Sequence, residues 1–342
     1  MRSGKALVRT ALALVIGLSM LLLGGCATDR QVISQAQQTH TGLQPAVMSD
    51  AQLATYIQTV GDRIIAAAQQ INQEGYKPSK QSSEDSTWMF SKQMKFHFVA
   101  NDQLNAFTTG GEHMYVYSQL FELRRSEDEL AAVMAHEFAH VYGRHVQSGM
   151  NRQYTMMGVA AAAGATGYAM GKDDQRLTYA TGFAGAALAA SQFVGMGYTR
   201  SDEREADAMG FDFYVRAGWD PAHFADFFKQ MIEKGYDKTP EMMSDHPTLA
   251  SRVEAINTRV AKLPPSAAQY RKAPVADKAQ LAAMQQRSKQ MVAAMPKNDA
   301  TNGAGLLLAS FPSCVASVET PKQKDAQQRL RAIIAQSKQQ SK

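Results

Sequence analysis

The chain has 342 residues, 45% hydrophobic and 20% charged, which fits a globular protein with room for a domain of ordinary size plus appendages. Its formal charge of +5 falls to +2 once the three basic residues among the first 25 are set aside, so the charge leaves no nucleic-acid footprint.

Arg2, Lys5 and Arg9 make a basic start. An apolar run of about 13 residues follows, Ala11 to Leu23, short for a membrane span. It ends in Leu23-Gly24-Gly25-Cys26, small residues before a cysteine, as in the bacterial lipobox. The expectation is a signal peptide over 1–25 and an acylated Cys26. Ala27 follows where an Asp would signal retention at the inner membrane, so an outer-membrane, periplasm-facing lipoprotein is expected. Cys314 is then the one other cysteine. It reads as a packed apolar side chain, with an intermolecular bridge as the functional alternative.

Residues 26–48 are polar and short of large apolar side chains, and read as a tether. Ser49-Asp50-Ala51-Gln52 is a helix-start pattern, and Leu53, Ile57, Val60 and Ile64 follow at helical spacing, predicting a helix over 50–72. Residues 74–94 read as a polar loop anchored by Trp88-Met89-Phe90. Phe96, Phe98 and Ala100 alternate as in a strand, and Met114-Tyr115-Val116-Tyr117 is a second strand after a Gly110-Gly111 turn. Either this is an ordinary hairpin, or its edge holds an extended peptide through main-chain bonds. In the second case Asn105, Met114, Tyr115 and Val116 are the substrate-binding candidates.

Ser126-Glu127-Asp128-Glu129 starts a helix that carries His136-Glu137-Phe138-Ala139-His140. Two histidines four apart share a helix face and can bind one metal ion, while Glu137 can reach a water on that ion. The bland alternative is an amphipathic helix that happens to hold two histidines. Residues 156–197, rich in Ala and Gly and split by Gly171–Arg176, read as a soluble or membrane-touching helical hairpin. A helix is expected from about Ser201 to Ala217, stopped by Gly218. Another should run from Asp220-Pro221 to Gly235, and a third should open at His246-Pro247 and carry Arg252. Lys262-Leu263-Pro264-Pro265 would close a domain over 49–263, leaving a helical tail over 264–342 of unknown role.

A catalytic zinc wants three protein ligands and one open position. His145 lies five residues past His140, about 140° round a continuing helix, and should not reach the same ion. Glu203 and Asp207 are four apart on one face, with Glu205 roughly 160° from that line. One carboxylate can bind the ion while the other holds a histidine by its second nitrogen, unless both are only an acidic helix start. His40, His97, His113 and His223 lack comparable context and read as structural.

Taken together, His136-Glu137-x-x-His140, Glu203-x-x-Ala206-Asp207, His246-Pro247 with Arg252, and Asn105-Ala106-Phe107 before Gly110-Gly111 resemble the zinc metallopeptidases of the CAAX-prenyl-protease, HtpX and BepA type. The resemblance covers roughly 50–260 and is nearest to the small lipoprotein members. It implies an α+β, mainly helical zincin-like domain with a small sheet beside the metal helix. It also implies one Zn2+ per chain on His136, His140 and Glu203, with Asp207 supporting a histidine, and His246 and Arg252 at the active site. His246 would either fill the fourth zinc position at rest, as a latch, or donate to the tetrahedral intermediate with Arg252; the latch is favoured, because an always-open protease threatens its neighbours. The implied activity is an endopeptidase that cuts unfolded or misassembled envelope proteins, in contact with envelope assembly machinery and no nucleic acid. A non-proteolytic metal-containing chaperone and a peptidoglycan hydrolase are the alternatives.

Overall fold

The computed structural model describes residues 28–80, 86–151, 198–236, 247–295, 303–311 and 321–340. The lipobox, the Ala/Gly-rich segment, His246 and Cys314 lie outside them. The architecture is mainly helical with one small sheet, the expected α+β class. No described helix is long and apolar enough to cross a membrane.

The segment read as a tether is instead largely a helix, α1 (Asp29–Leu43), capped by Thr28. Val32, Ala36, His40 and Leu43 are buried along one side of it, a stripe too sparse to stand out in a polar stretch. Its first residue, Asp29, is buried and paired with Arg144 at 3.0 Å.

Helix α2 (Ala51–Gln73) starts where Asp50 accepts from the amides of Gln52 and Leu53. It lies against the sheet so closely that a Cβ at Gly61 would sit 2.1 Å from the Phe96 ring. The sheet has order β1-β3-β2, with β1 (Lys95–Val99) parallel and β2 (Ala106–Thr108) antiparallel to β3 (His113–Tyr117). The third strand, β2, is only three residues long, too short for alternation to reveal. Phe96, Phe98, Ala106, Met114 and Val116 face the main core. Val99, Phe107, Tyr115 and Tyr117 face a second one.

Helix α3 (Ser118–Glu122) leads into the metal helix α4 (Glu127–Tyr142), whose cap Ser126 accepts from the Glu129 amide. Glu127 is buried and accepts from Tyr56 Oη, Trp219 Nε1 and the amides of Val275 and Ala276, joining four parts of the chain. Helix α5 (Arg200–Ala217) is capped by Thr199 and stops at Gly218, whose φ of +106° suits glycine. The single helix expected after Asp220 is instead a short 3-10 turn, Pro221–His223, followed by α6 (Asp226–Glu233). The next helix, α7 (Leu249–Ala261), is capped by Thr248 rather than opened by Pro247.

The packed body does not end at 263. Ala276 and Leu281, at the start of α8 (Lys278–Ala294), belong to the main core. Helices α9 (Gly303–Ser310) and α10 (Pro321–Gln340) build the second core with α1. There the Phe311 ring stacks on Phe107 at 4.0 Å, and Tyr117 Oη donates to the Leu308 carbonyl. The tail and α1 thus cover the second sheet face, leaving α2 and α4 against the first.

Candidate metal centre

Helix α4 presents His136 and His140 one turn apart, with their Nε2 atoms separated by 3.0 Å. Helix α5 brings Glu203 to them: Oε2 lies 3.5 Å from His136 Nε2, and Oε1 lies 3.8 Å from His140 Nε2. All three are buried. Ligand atoms about 3.3 Å apart are what a tetrahedral ion with bonds of about 2.0–2.1 Å requires. Two imidazoles and a carboxylate, converging so closely, fit one divalent transition-metal ion. Glu137, the next residue on α4, is 1% exposed.

The helices approach this closely because Gly210 faces α4. A Cβ there would stand 3.0 Å from the backbone N and Cα of His136. Behind the site, His136 Nδ1–H donates to Asp207 Oδ1 at 3.0 Å. Arg252 forks onto the same carboxylate, Nε to Oδ2 at 2.8 Å and Nη2 to Oδ1 at 2.6 Å, with its guanidinium 4.1 Å over the Phe228 ring. Burial works against the charged form of His136, but its hydrogen bonds to the carboxylates of Asp207 and Glu203 outweigh it and raise its pKa to about 9. Burial and the neighbouring His136 push His140 down. Burial raises Asp207, yet Arg252 and His136 hold it below the usual carboxylate range.

His145 stays outside the metal cluster, as its offset from His140 implies, but contacts His140 from behind. Helix α4 ends at Tyr142, and Arg144 takes a left-handed φ of 52°, so the helix breaks before the helical turn that opens at His145. His145 does not join the His136, His140 and Glu203 cluster. Its Nδ1 sits 2.9 Å from His140 Nδ1, and its Nε2 sits 3.3 Å from Glu205 Oε2. Glu205 also accepts from Ser79 N and Oγ, and the His145 contact is the largest cause of its pKa falling to about 2. The ring fits because position 143 is glycine: a Cβ there would meet His145 Nε2 at 2.5 Å. Each metal histidine therefore has a partner on its far nitrogen, Asp207 for His136 and His145 for His140. The Tyr198 ring is stacked on His140 at 3.7 Å.

The profile of peptidase family M48 matches residues 51–260, more than half of the chain, and spans every residue of this centre. The chain belongs to peptidase family M48. It is 30% identical over 223 residues to the beta-barrel assembly-enhancing protease of Yersinia pestis, covering 63% of this chain and 40% of that protein. It is 31% identical over 163 residues to metalloprotease LoiP of Escherichia coli K12, covering 48% of this chain and 61% of LoiP. With metalloprotease YcaL of the same organism it shares 24% over 260 residues, 74% of this chain and 98% of YcaL. The chain thus spans less than half the length of the assembly-enhancing proteases it matches. Family M48 is a family of peptidases, and in this chain the His-His-Glu cluster is where a metal ion fits.

Other expected site residues are placed differently within this M48 domain. Met114, Tyr115 and Val116 are not on an edge: β3 is the central strand, paired on both sides. A substrate strand cannot be added to it, because its main-chain groups are already paired. Asn105 is buried just before β2, where its carbonyl accepts from the Tyr117 amide. Arg252 is buried on the Nδ1 side of His136, where it holds Asp207, and its Nη1 lies 3.5 Å from Glu203 Oε2. The roles of His145, Glu205 and Ser79 were not legible in the sequence, since they depend on the helix break at Arg144.

Proposed function

We propose that the protein is a zinc endopeptidase of the bacterial envelope, lipid-anchored at Cys26 in the outer membrane and facing the periplasm. Its substrates are misfolded or misassembled envelope proteins, met alongside the envelope assembly machinery. One observation carries the activity: His136, His140 and Glu203 converge, with Asp207 and His145 fixing the two imidazoles from behind. The names of the relatives support the envelope reading, and the lipobox supports the anchor.

Zinc bound there supplies a Lewis acid and a water of lowered pKa. Asp207 keeps the Nδ1 proton on His136, which leaves Nε2 as the donor atom. Glu137 takes the proton of the attacking water and returns it to the leaving amine. Helix α4 packs against β2, an edge strand of the described sheet whose three residues are all buried. His246 then guards or assists the site, the two roles that its position before Pro247 leaves open.

The test is zinc per chain together with casein cleavage. Glu137→Gln should keep its zinc and its fold and lose at least about 10²-fold in rate. Near-normal turnover would show that another group handles the proton. Cys26→Ser should move the protein from the membrane to the soluble fraction; retention through a high-salt wash would remove the lipid from the proposal.

A further inference from the structure

Three histidines outside the candidate metal centre also converge. His40 comes from α1, His97 from β1 and His113 from β3, and one ring nitrogen of each lies within 4.8 Å of the others. His97 and His113 project from the second sheet face, the face that α1 covers. His97 Nε2 lies 3.0 Å from His113 Nδ1. His40 lies flat over His113, ring centres 3.9 Å apart, and tilted to His97 at 4.7 Å. His40 and His113 are buried and His97 is half-buried, so the cluster is reachable from solvent at one side.

We propose that His40, His97 and His113 form a second metal site, one that takes a late first-row divalent cation, zinc in the first instance, and fastens α1 to the sheet. The donor chemistry selects the ion. Three neutral imidazoles with no carboxylate among them suit Zn2+, Cu2+ or Ni2+ and offer little to Mg2+ or Ca2+. The outer contacts set the donor atoms. His113 Nε2–H donates to Gln37 Oε1 at 3.0 Å, which leaves Nδ1 with its lone pair turned to His97. His97 presents Nε2 to the same point, and tautomerisation to Nδ1–H frees that lone pair without net proton release. His40 Nδ1 is held by Tyr115 Oη at 2.9 Å, and its Nε2 contacts the exposed side chain of Gln44. Coordination needs the His40 ring to tilt out of its stack and Gln44 to swing aside or turn its amide oxygen toward the ion.

The electrostatics leave the site open to a cation at neutral pH. Burial, then repulsion from His40 and His113, holds His97 at a pKa of about 3, and burial with His40 holds His113 at about 4. Protons therefore do not compete for the nitrogens near pH 7. Lys95, exposed on β1, is a neighbouring positive charge and sets a limit on affinity.

The experiment measures zinc per chain in the full-length, untagged protein after equilibration with micromolar Zn2+ and removal of excess. Wild type should carry two. His97→Gln/His113→Gln should carry one and still cleave casein. His136→Gln/His140→Gln should carry one and cleave nothing. In that last variant added Zn2+ should raise Tm while Mg2+ does not, and the rise should vanish when His97→Gln/His113→Gln is added. A wild type holding one zinc, unchanged in His97→Gln/His113→Gln, would reduce the cluster to a hydrogen-bonded histidine network. Zinc lost only with His97 and His113 would instead remove the catalytic assignment, so the two readings fail separately.

Discussion

Gly143→Ala isolates the contact behind His140. The residue has φ −76° and ψ −4°, ordinary right-handed backbone, so alanine brings no backbone strain. On backbone entropy alone the change should stabilise by about 0.4–1 kcal/mol. The obstacle is the His145 ring, with Nε2, Cε1 and Cδ2 at 2.5, 2.9 and 3.0 Å from the new Cβ. Ordinary contact begins at 3.4 Å, so the ring must retreat by about 1 Å. That stretches the 2.9 Å contact between His145 Nδ1 and His140 Nδ1 beyond hydrogen-bonding range. Loss of a partner behind a metal ligand costs about 10–100-fold in affinity. Gly143→Ala should therefore weaken zinc binding by about that factor with little change in Tm, measured by competition against a chromogenic chelator. In a His145→Ala background the same substitution should have almost no further effect, because the contact it breaks is already gone. Undiminished zinc affinity in Gly143→Ala, or full additivity in the double variant, would refute the role given to His145.

Two more outcomes follow from the buried charges. Asp207→Asn should raise the zinc dissociation constant by about 10–100-fold and lower Tm, because it also takes from the buried Arg252 guanidinium the nearer of its two carboxylate partners, leaving Glu203 at 3.5 Å; chelator competition and thermal melting read the two effects. In metal-free protein, the low pKa values of His97 and His113 mean that the folded state binds fewer protons than the unfolded chain, whose histidines titrate near 6.5. Their contribution is fully present above about pH 6.5 and is lost as the pH falls toward 4 and then 3, by up to about 1.4 kcal/mol per pH unit for each group. The urea midpoint should fall less steeply over that range in His97→Gln/His113→Gln than in wild type, and equal slopes would show that the two imidazoles are not held neutral by the fold.

What the sequence revealed depended on local periodicity. The starts of α2 and α4 were visible because Asp50 and Ser126 cap runs with clear helical spacing. His136 and His140 share a face on any straight helix, and so do Glu203 and Asp207. The hidden parts were non-local. A three-residue strand has too few alternations to be seen, and its pairing with β3 turned an expected edge into the middle of the sheet. The stripe of α1 is diluted by glutamines, and the apolar surface it meets arrives from residues near 308 and 330. His40, His97 and His113 have no sequence spacing in common; the parallel register of β1 and β3 and the crossing of α1 bring them together.

The helix that looked like a tether has the most direct route to the catalytic centre from outside it. Asp29, at its first turn, accepts from Arg144 Nε and Nη2, from Gln147 Nε2 and from Trp88 Nε1. Arg144 is the residue whose left-handed backbone turns His145 back onto His140. A non-glycine residue holds that conformation at a cost of order 1–3 kcal/mol, and the buried ion pair with Asp29 is the interaction that offsets it. Seen this way, the orientation of one metal ligand depends on α1 being seated. The far end of the same helix carries His40, so its two ends are fixed by different chemistry, an ion pair near the candidate metal centre and an imidazole cluster on the sheet. Anything that lifts α1 from the sheet removes the support of Arg144 first, and with it the contact that orients His140.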